Sequence, residues 1–69
     1  MTPADIREAR RTLGLTGEQM GVLLGYGLPG ARMRVSELER GVRVPSEAVL
    51  RLLRAYLDGY RPPDWPAIR

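Results

Sequence analysis

Residues 15–41, LTGEQMGVLLGYGLPGARMRVSELERG, decide the fold. Thr16 is a good N-cap for a helix whose apolar side is Met20, Leu23 and Leu24, with Glu18 near its positive end. Gly21 falls in the middle of that helix, where glycine costs about 1 kcal/mol against alanine. It marks either a close approach of another backbone or a weak position that its neighbours tolerate. Further on, Ala31, Val35 and Leu38 recur at helical spacing, so a second helix runs from about Ala31 to Arg40. Its opposite face shows Arg32, Met33, Ser36, Glu37 and Arg40, and Gly41 ends it. Two short helices joined by a glycine-rich turn are therefore expected, the second with aliphatics inward and arginines outward.

Upstream, Pro3 suits a first helical position, Thr2 an N-cap and Asp5 a first turn. Ile6, Ala9 and Leu13 then share one face, and Gly14 supplies the stop. Downstream of Gly41, the VRVP segment leads to a helix opened by Pro45 or Ser46 that runs from Glu47 to about Asp58. Its apolar residues, Val49, Leu50, Leu52, Leu53, Tyr56 and Leu57, span about 160°, more than the roughly 100° stripe of a one-sided surface helix. Either one face completes the core while the rest meets a second subunit, or this is a central core helix. Gly59 closes it. Three of the six prolines then fall in the last ten residues, YRPPDWPAIR, and forbid regular structure there. Tyr60 and Trp65 are costly to leave in water, so this tail is expected to fold back on the domain or on a partner subunit.

The expected architecture is all-α: a four-helix, at most five-helix, domain over residues 1–59 and a proline-rich tail over 60–69. At 69 residues the chain buries only about 60% of its unfolded surface. Cysteine and histidine are absent. Disulfide staples, thiolate metal sites and the commonest general base are thereby excluded, and no catalytic, metal or cofactor site is expected. No apolar run approaches the roughly 18 residues of a membrane span and no signal-peptide core is seen, which points to a cytoplasmic protein without membrane contact. Net charge is +3 and the pI about 10.2, favouring a polyanionic partner. All 11 basic residues are arginine. That bias suits phosphate and guanine, although a GC-rich genome explains it more simply.

The ordered sum of these features resembles the Cro and phage-repressor type of helix-turn-helix, also called the xenobiotic-response-element family of regulators. Leu15, Thr16, Gly21, Leu24 and Gly25 follow the first half of its pattern, with Gly21 for the usual small alanine. Val35, Leu38, Glu39 and Gly41 follow the second half. Ile6, Arg7, Arg10 and Gly14 resemble its first helix, and Pro45, Ser46, Leu50 and Leu53 its fourth. Two departures stand out. Gly17 replaces a glutamine that commonly touches DNA, and Gly25 to Gly41 is about four residues longer than usual. Forcing the usual spacing would bury Arg34 unpaired, which is untenable, so the extra residues lie in GYGLPGAR. Either the helix starts early with Pro29 as its first residue, or the turn is lengthened around Gly25, Gly27 and Gly30. The longer turn is the favoured alternative.

The resemblance implies a sequence-specific DNA-binding regulator rather than an enzyme, a repressor that binds a near-palindromic operator in double-stranded DNA as a homodimer. The candidate DNA-contacting residues are Thr16, Arg32, Met33, Arg34, Ser36, Glu37, Arg40 and Arg43. Arginine can take guanine in a bidentate way, glutamate can accept from cytosine, and methionine can touch a thymine methyl; Arg43 is placed for a phosphate. The resemblance also implies that Arg10 and Glu39 form a structural ion pair tying the first helix to the third. Leu50, Leu57, Tyr60 and Trp65 are candidate dimer contacts. An antitoxin that regulates its own operon and binds a protein partner shares the fold, as does a protein-interaction module that does not bind DNA.

Overall fold

The computed structural model describes residues 1–66. Three helices begin at a hydroxyl N-cap. Thr2 opens α1 (Pro3–Leu13), accepting from the Asp5 N–H while the Asp5 carboxylate accepts from the Thr2 N–H. Thr16 opens α2 (Gly17–Leu23) through the same reciprocal arrangement with Gln19. Ser46 opens α4 (Glu47–Leu57) by accepting from the Val49 N–H. Each cap satisfies amides that a helix start otherwise leaves without partners. The third helix differs: α3 (Ala31–Arg40) follows Gly30, at φ +121°, without a side-chain cap.

The long-turn alternative is therefore the one the chain adopts. Residues 24–30 carry it from α2 to α3, with Gly25 and Gly30 both in the positive-φ region and the Leu28–Pro29 peptide cis. Gly30 is what lets the backbone swing into α3 there, since a Cβ would be strained at that φ.

The core takes one face from every helix: Ile6 and Ala9 from α1, Met20 and Leu23 from α2, Ala31, Val35 and Leu38 from α3, Val49, Leu53 and Tyr56 from α4, with Leu15 and Leu24 beside them. At Gly21 a Cβ would lie 2.5 Å from the Ala31 carbonyl oxygen and 2.7 Å from the Ala31 Cβ. The glycine is thus the contact point of α2 and α3, and its loss of helix propensity is the condition for packing α3 this tightly. No helix among the described residues is long and apolar enough to cross a membrane.

On α4 the wide apolar arc divides. Val49, Leu53 and Tyr56 enter the core, Leu50 and Leu52 are half-buried, and Leu57 is exposed. The helix ends at Leu57, one residue earlier than its sequence pattern suggests. Beyond Gly59 the tail turns back on its own domain. The Trp65 ring meets Tyr56 edge-on at 5.3 Å between centroids, and Tyr60 stacks parallel to the Tyr56 ring at 6.0 Å. The Arg61 guanidinium lies 4.3 Å from the Trp65 ring centre and donates to the carbonyls of Tyr56 and Tyr60 at 2.8 Å each. Tyr60, expected to be covered, keeps most of its surface in solvent, because only one ring face has a partner. Residues 67–69 of the tail lie outside the described residues.

Candidate nucleic-acid interface

The outward side of α3 follows from its inward side. With Ala31, Val35 and Leu38 buried, residues 32, 36 and 40 fall one turn apart along the exposed surface, and Met33 lies beside them. Arg40 donates its Nε to the Ser36 hydroxyl at 3.2 Å, which ties two of the three together along the helix.

Arg32 and Ser36 form a ridge between two concavities. On one side lies a groove shared by three helices, with Arg7 and Arg10 from α1, Gly17 from α2, and Arg32, Ser36, Glu39 and Arg40 from α3. Four guanidinium groups there face one carboxylate. On the other side Leu28, Pro29, Gly30 and Met33 make an apolar groove with Glu18 at its edge.

Arg10 anchors the first groove. Its Nε and Nη2 donate to the two oxygens of Glu39 at 2.6 and 3.2 Å, and its Nη1 reaches the Leu15 carbonyl at 3.3 Å. The hydrogen bond donated to Glu39 pushes the guanidinium pKa above its ordinary value, against the opposing effect of burial. One side chain thus joins α1, the α1–α2 connection and α3, and the ion pair implied by the resemblance is present. Arg7 lies 3.8 Å from the same carboxylate with about half of its side chain in solvent. Glu39 is already bonded twice by Arg10, and Arg7 shares its charge at longer range while lining the groove.

The sequence-derived site residues do not form one patch. Arg32, Met33, Ser36 and Arg40 occupy the ridge and its flanks, and Thr16 caps α2 next to Gly17 in the groove wall. Arg34, Glu37 and Arg43 form a separate cluster: the Glu37 carboxylate accepts from Arg43 Nε at 2.8 Å and from Arg34 Nη1 at 3.5 Å. The bond from Arg43, then the charges of both arginines, hold the Glu37 carboxyl below the usual glutamate range. Glu37, expected to accept from a base, here accepts from two guanidinium groups and so ties the loop after α3 to that helix.

The chain matches no family model, no curated protein and no solved structure. What the site can do rests on its own chemistry. A groove rich in arginine beside a helix edge with alternating donors suits a phosphate backbone on one side and base edges along the ridge.

Sequence reasoning missed Arg7, Gly17 and Leu28 as lining residues. Arg7 was within reach of it: three residues before Arg10, it must share the face that meets Glu39. Gly17 is open to the groove because it has no side chain, and a Cβ there would rest 3.6 Å from Arg32 Cγ. Leu28 had no such signal, because a turn carries no periodicity.

Proposed function

We propose that this protein is a sequence-specific DNA-binding transcriptional regulator of the helix-turn-helix kind, a cytoplasmic repressor that binds a near-palindromic operator as a homodimer. The observation that carries the reading is the line Arg32–Ser36–Arg40 on the exposed edge of α3, flanked by a groove whose arginines outnumber its carboxylate four to one. α3 enters the major groove, Arg32 and Arg40 reach base edges or the adjoining phosphates, and Arg7 takes a phosphate beside them. Arg43, buttressed by Glu37, lies on the loop after α3, where a second phosphate is met.

Dimerisation gives the reading its geometry. The body measures 30 × 27 × 20 Å, and a dimer that reads successive major grooves would hold its two α3 helices roughly 34 Å apart. Leu57 and Tyr60 expose apolar surface near the end of α4, none of it lining the arginine groove, and half-buried Leu50 lies about two turns earlier on the same helix. These residues are the surface through which the second copy docks, and Leu57→Glu is expected to yield monomers in sedimentation.

Selection of binding sites from random duplex tests the function. A two-fold-symmetric consensus that loses base preference with Arg32→Ala or Ser36→Ala supports it. If no sequence is enriched and binding shows no dependence on salt, the regulator reading fails and a protein partner becomes the object of search.

A further inference from the structure

The arginine groove accounts for one side of the Arg32–Ser36 ridge and leaves the other side without a role. There Leu28 and Met33 are 56% and 60% exposed, and neither belongs to the core. They line one concavity together with Pro29, Gly30, Arg32 and Ser36, so the apolar surface adjoins the reading edge of α3. Glu18 also lines that concavity. A phosphate could not settle there without facing that carboxylate. On the base edges of the major groove the one apolar feature is a methyl group at C5 of a pyrimidine.

We infer that the Leu28–Met33 groove reads the C5-methyl group of a pyrimidine in each half-site. The inference rests on the DNA-binding reading above and adds a specificity element to it. The long turn between α2 and α3 has a purpose on this account: it carries Leu28 out beside Met33, so that a methyl is enclosed from two sides where Met33 alone would offer one. The methyl can belong to thymine or to 5-methylcytosine, since both present it at the same position of the groove.

The test uses the full chain and the duplex that it selects. Every thymine of one half-site is replaced in turn by uracil, which removes the methyl and nothing else, and every cytosine by 5-methylcytosine, which adds one. Affinities are measured for the protein and for the Leu28→Ala/Met33→Ala variant, whose fold is checked by its melting curve because both side chains are exposed. At one position the unmodified protein is expected to lose about fourfold in affinity on going to uracil, or gain about fourfold with 5-methylcytosine, the factor carried by burying one methyl group. The variant should show no such difference there. A loss at thymine identifies thymine as the ligand, and a gain at cytosine identifies the methylated base. The inference is overturned if specific binding is seen but no methyl changes it, or if the variant responds as strongly as the parent. Absence of specific, salt-dependent binding would instead overturn the DNA-binding reading itself.

Discussion

The Glu39 carboxylate near the end of α3 is held from α1 by both Nε and Nη2 of Arg10, at 2.6 and 3.2 Å. Its side chain is 10% exposed and that of Arg10 26%. Either residue alone would leave a poorly solvated charge, so Arg10→Met and Glu39→Leu should each destabilise the fold by about 2 kcal/mol. That is less than the ~3–5 kcal/mol of a fully buried pair, because Arg10 keeps some water and Arg7 can move toward Glu39. Replacing both, as Arg10→Met with Glu39→Leu, should recover most of the loss. Urea denaturation of the four proteins measures the coupling; a double variant as unstable as the summed single changes would show that the pair does not act as a unit.

Gly17 and Gly21 lie one helical turn apart on α2 and should respond to alanine in opposite ways. Helix propensity alone favours the substitution at both. At position 21, however, the added methyl would overlap the Ala31 backbone at 2.5 Å, and α3 would have to be pushed away. A loss of about 2–3 kcal/mol is expected. At position 17 the nearest atom, Arg32 Cγ, is 3.6 Å off, so Gly17→Ala should be neutral or stabilise by a few tenths of a kcal/mol. Thermal melts of the two variants read both signs at once.

Acid should weaken the fold through two carboxylates. Asp5 is held below its ordinary value chiefly by its hydrogen bonds with Thr2, and Glu37 chiefly by the bond from Arg43. A lowered native pKa means that the unfolded chain binds more protons near the ordinary carboxylate range. The contribution is therefore complete above about pH 5 and is lost as the pH falls through the lowered native values. At the other end Tyr56, raised chiefly by burial, favours the fold below its ordinary range and ceases to do so as the pH rises past it, above about pH 10. Stability measured from pH 2 to 11 should be flat between these limbs, and Glu37→Gln should shrink the acid limb without touching the alkaline one.

Arg7 offers a test of the arginine groove that leaves base reading aside. If it meets a phosphate, Arg7→Ala should weaken binding to all duplexes alike and reduce the slope of log affinity against log salt by about 0.9 for each subunit. Arg32→Ala should in addition relax the consensus. An Arg7→Ala protein with an unchanged salt slope would remove this groove from the interface.

The helices were legible because periodicity, caps and stops agree: Thr2, Thr16 and Ser46 mark three starts, while Gly14 and Gly41 mark two ends. The buried face of α3 was legible for the same reason, and of the two readings that Gly21 left open the close approach is the one found, against Ala31. What the sequence could not show is how surface charges choose partners. Glu37 as a base contact and Arg43 as a phosphate contact look independent along the chain, yet the loop after Gly41 brings Arg43 back to within 2.8 Å of Glu37. Leu28 was hidden likewise, because its exposure depends on a turn whose path no local pattern dictates.

The tail was legible only as a need for cover, and the structure shows what meets it. Tyr56 reaches from α4 to donate its hydroxyl proton to the Leu23 carbonyl, while Tyr60 and Trp65 lie against its ring and Arg61 closes over Trp65. Arg61 therefore carries the cluster with two carbonyl hydrogen bonds and one ring contact, and Arg61→Ala should release Trp65 without disturbing the core. Trp65 is the chain's one tryptophan, so its emission reports on this contact directly: a shift to longer wavelength is expected in Arg61→Ala at a temperature where the helices remain folded. Trp65→Ala should cost about 2 kcal/mol, less than a fully buried tryptophan because the ring is half-buried. An emission spectrum unchanged by Arg61→Ala would mean that Tyr56 alone holds the tail, and the destabilisation should then follow Trp65 only.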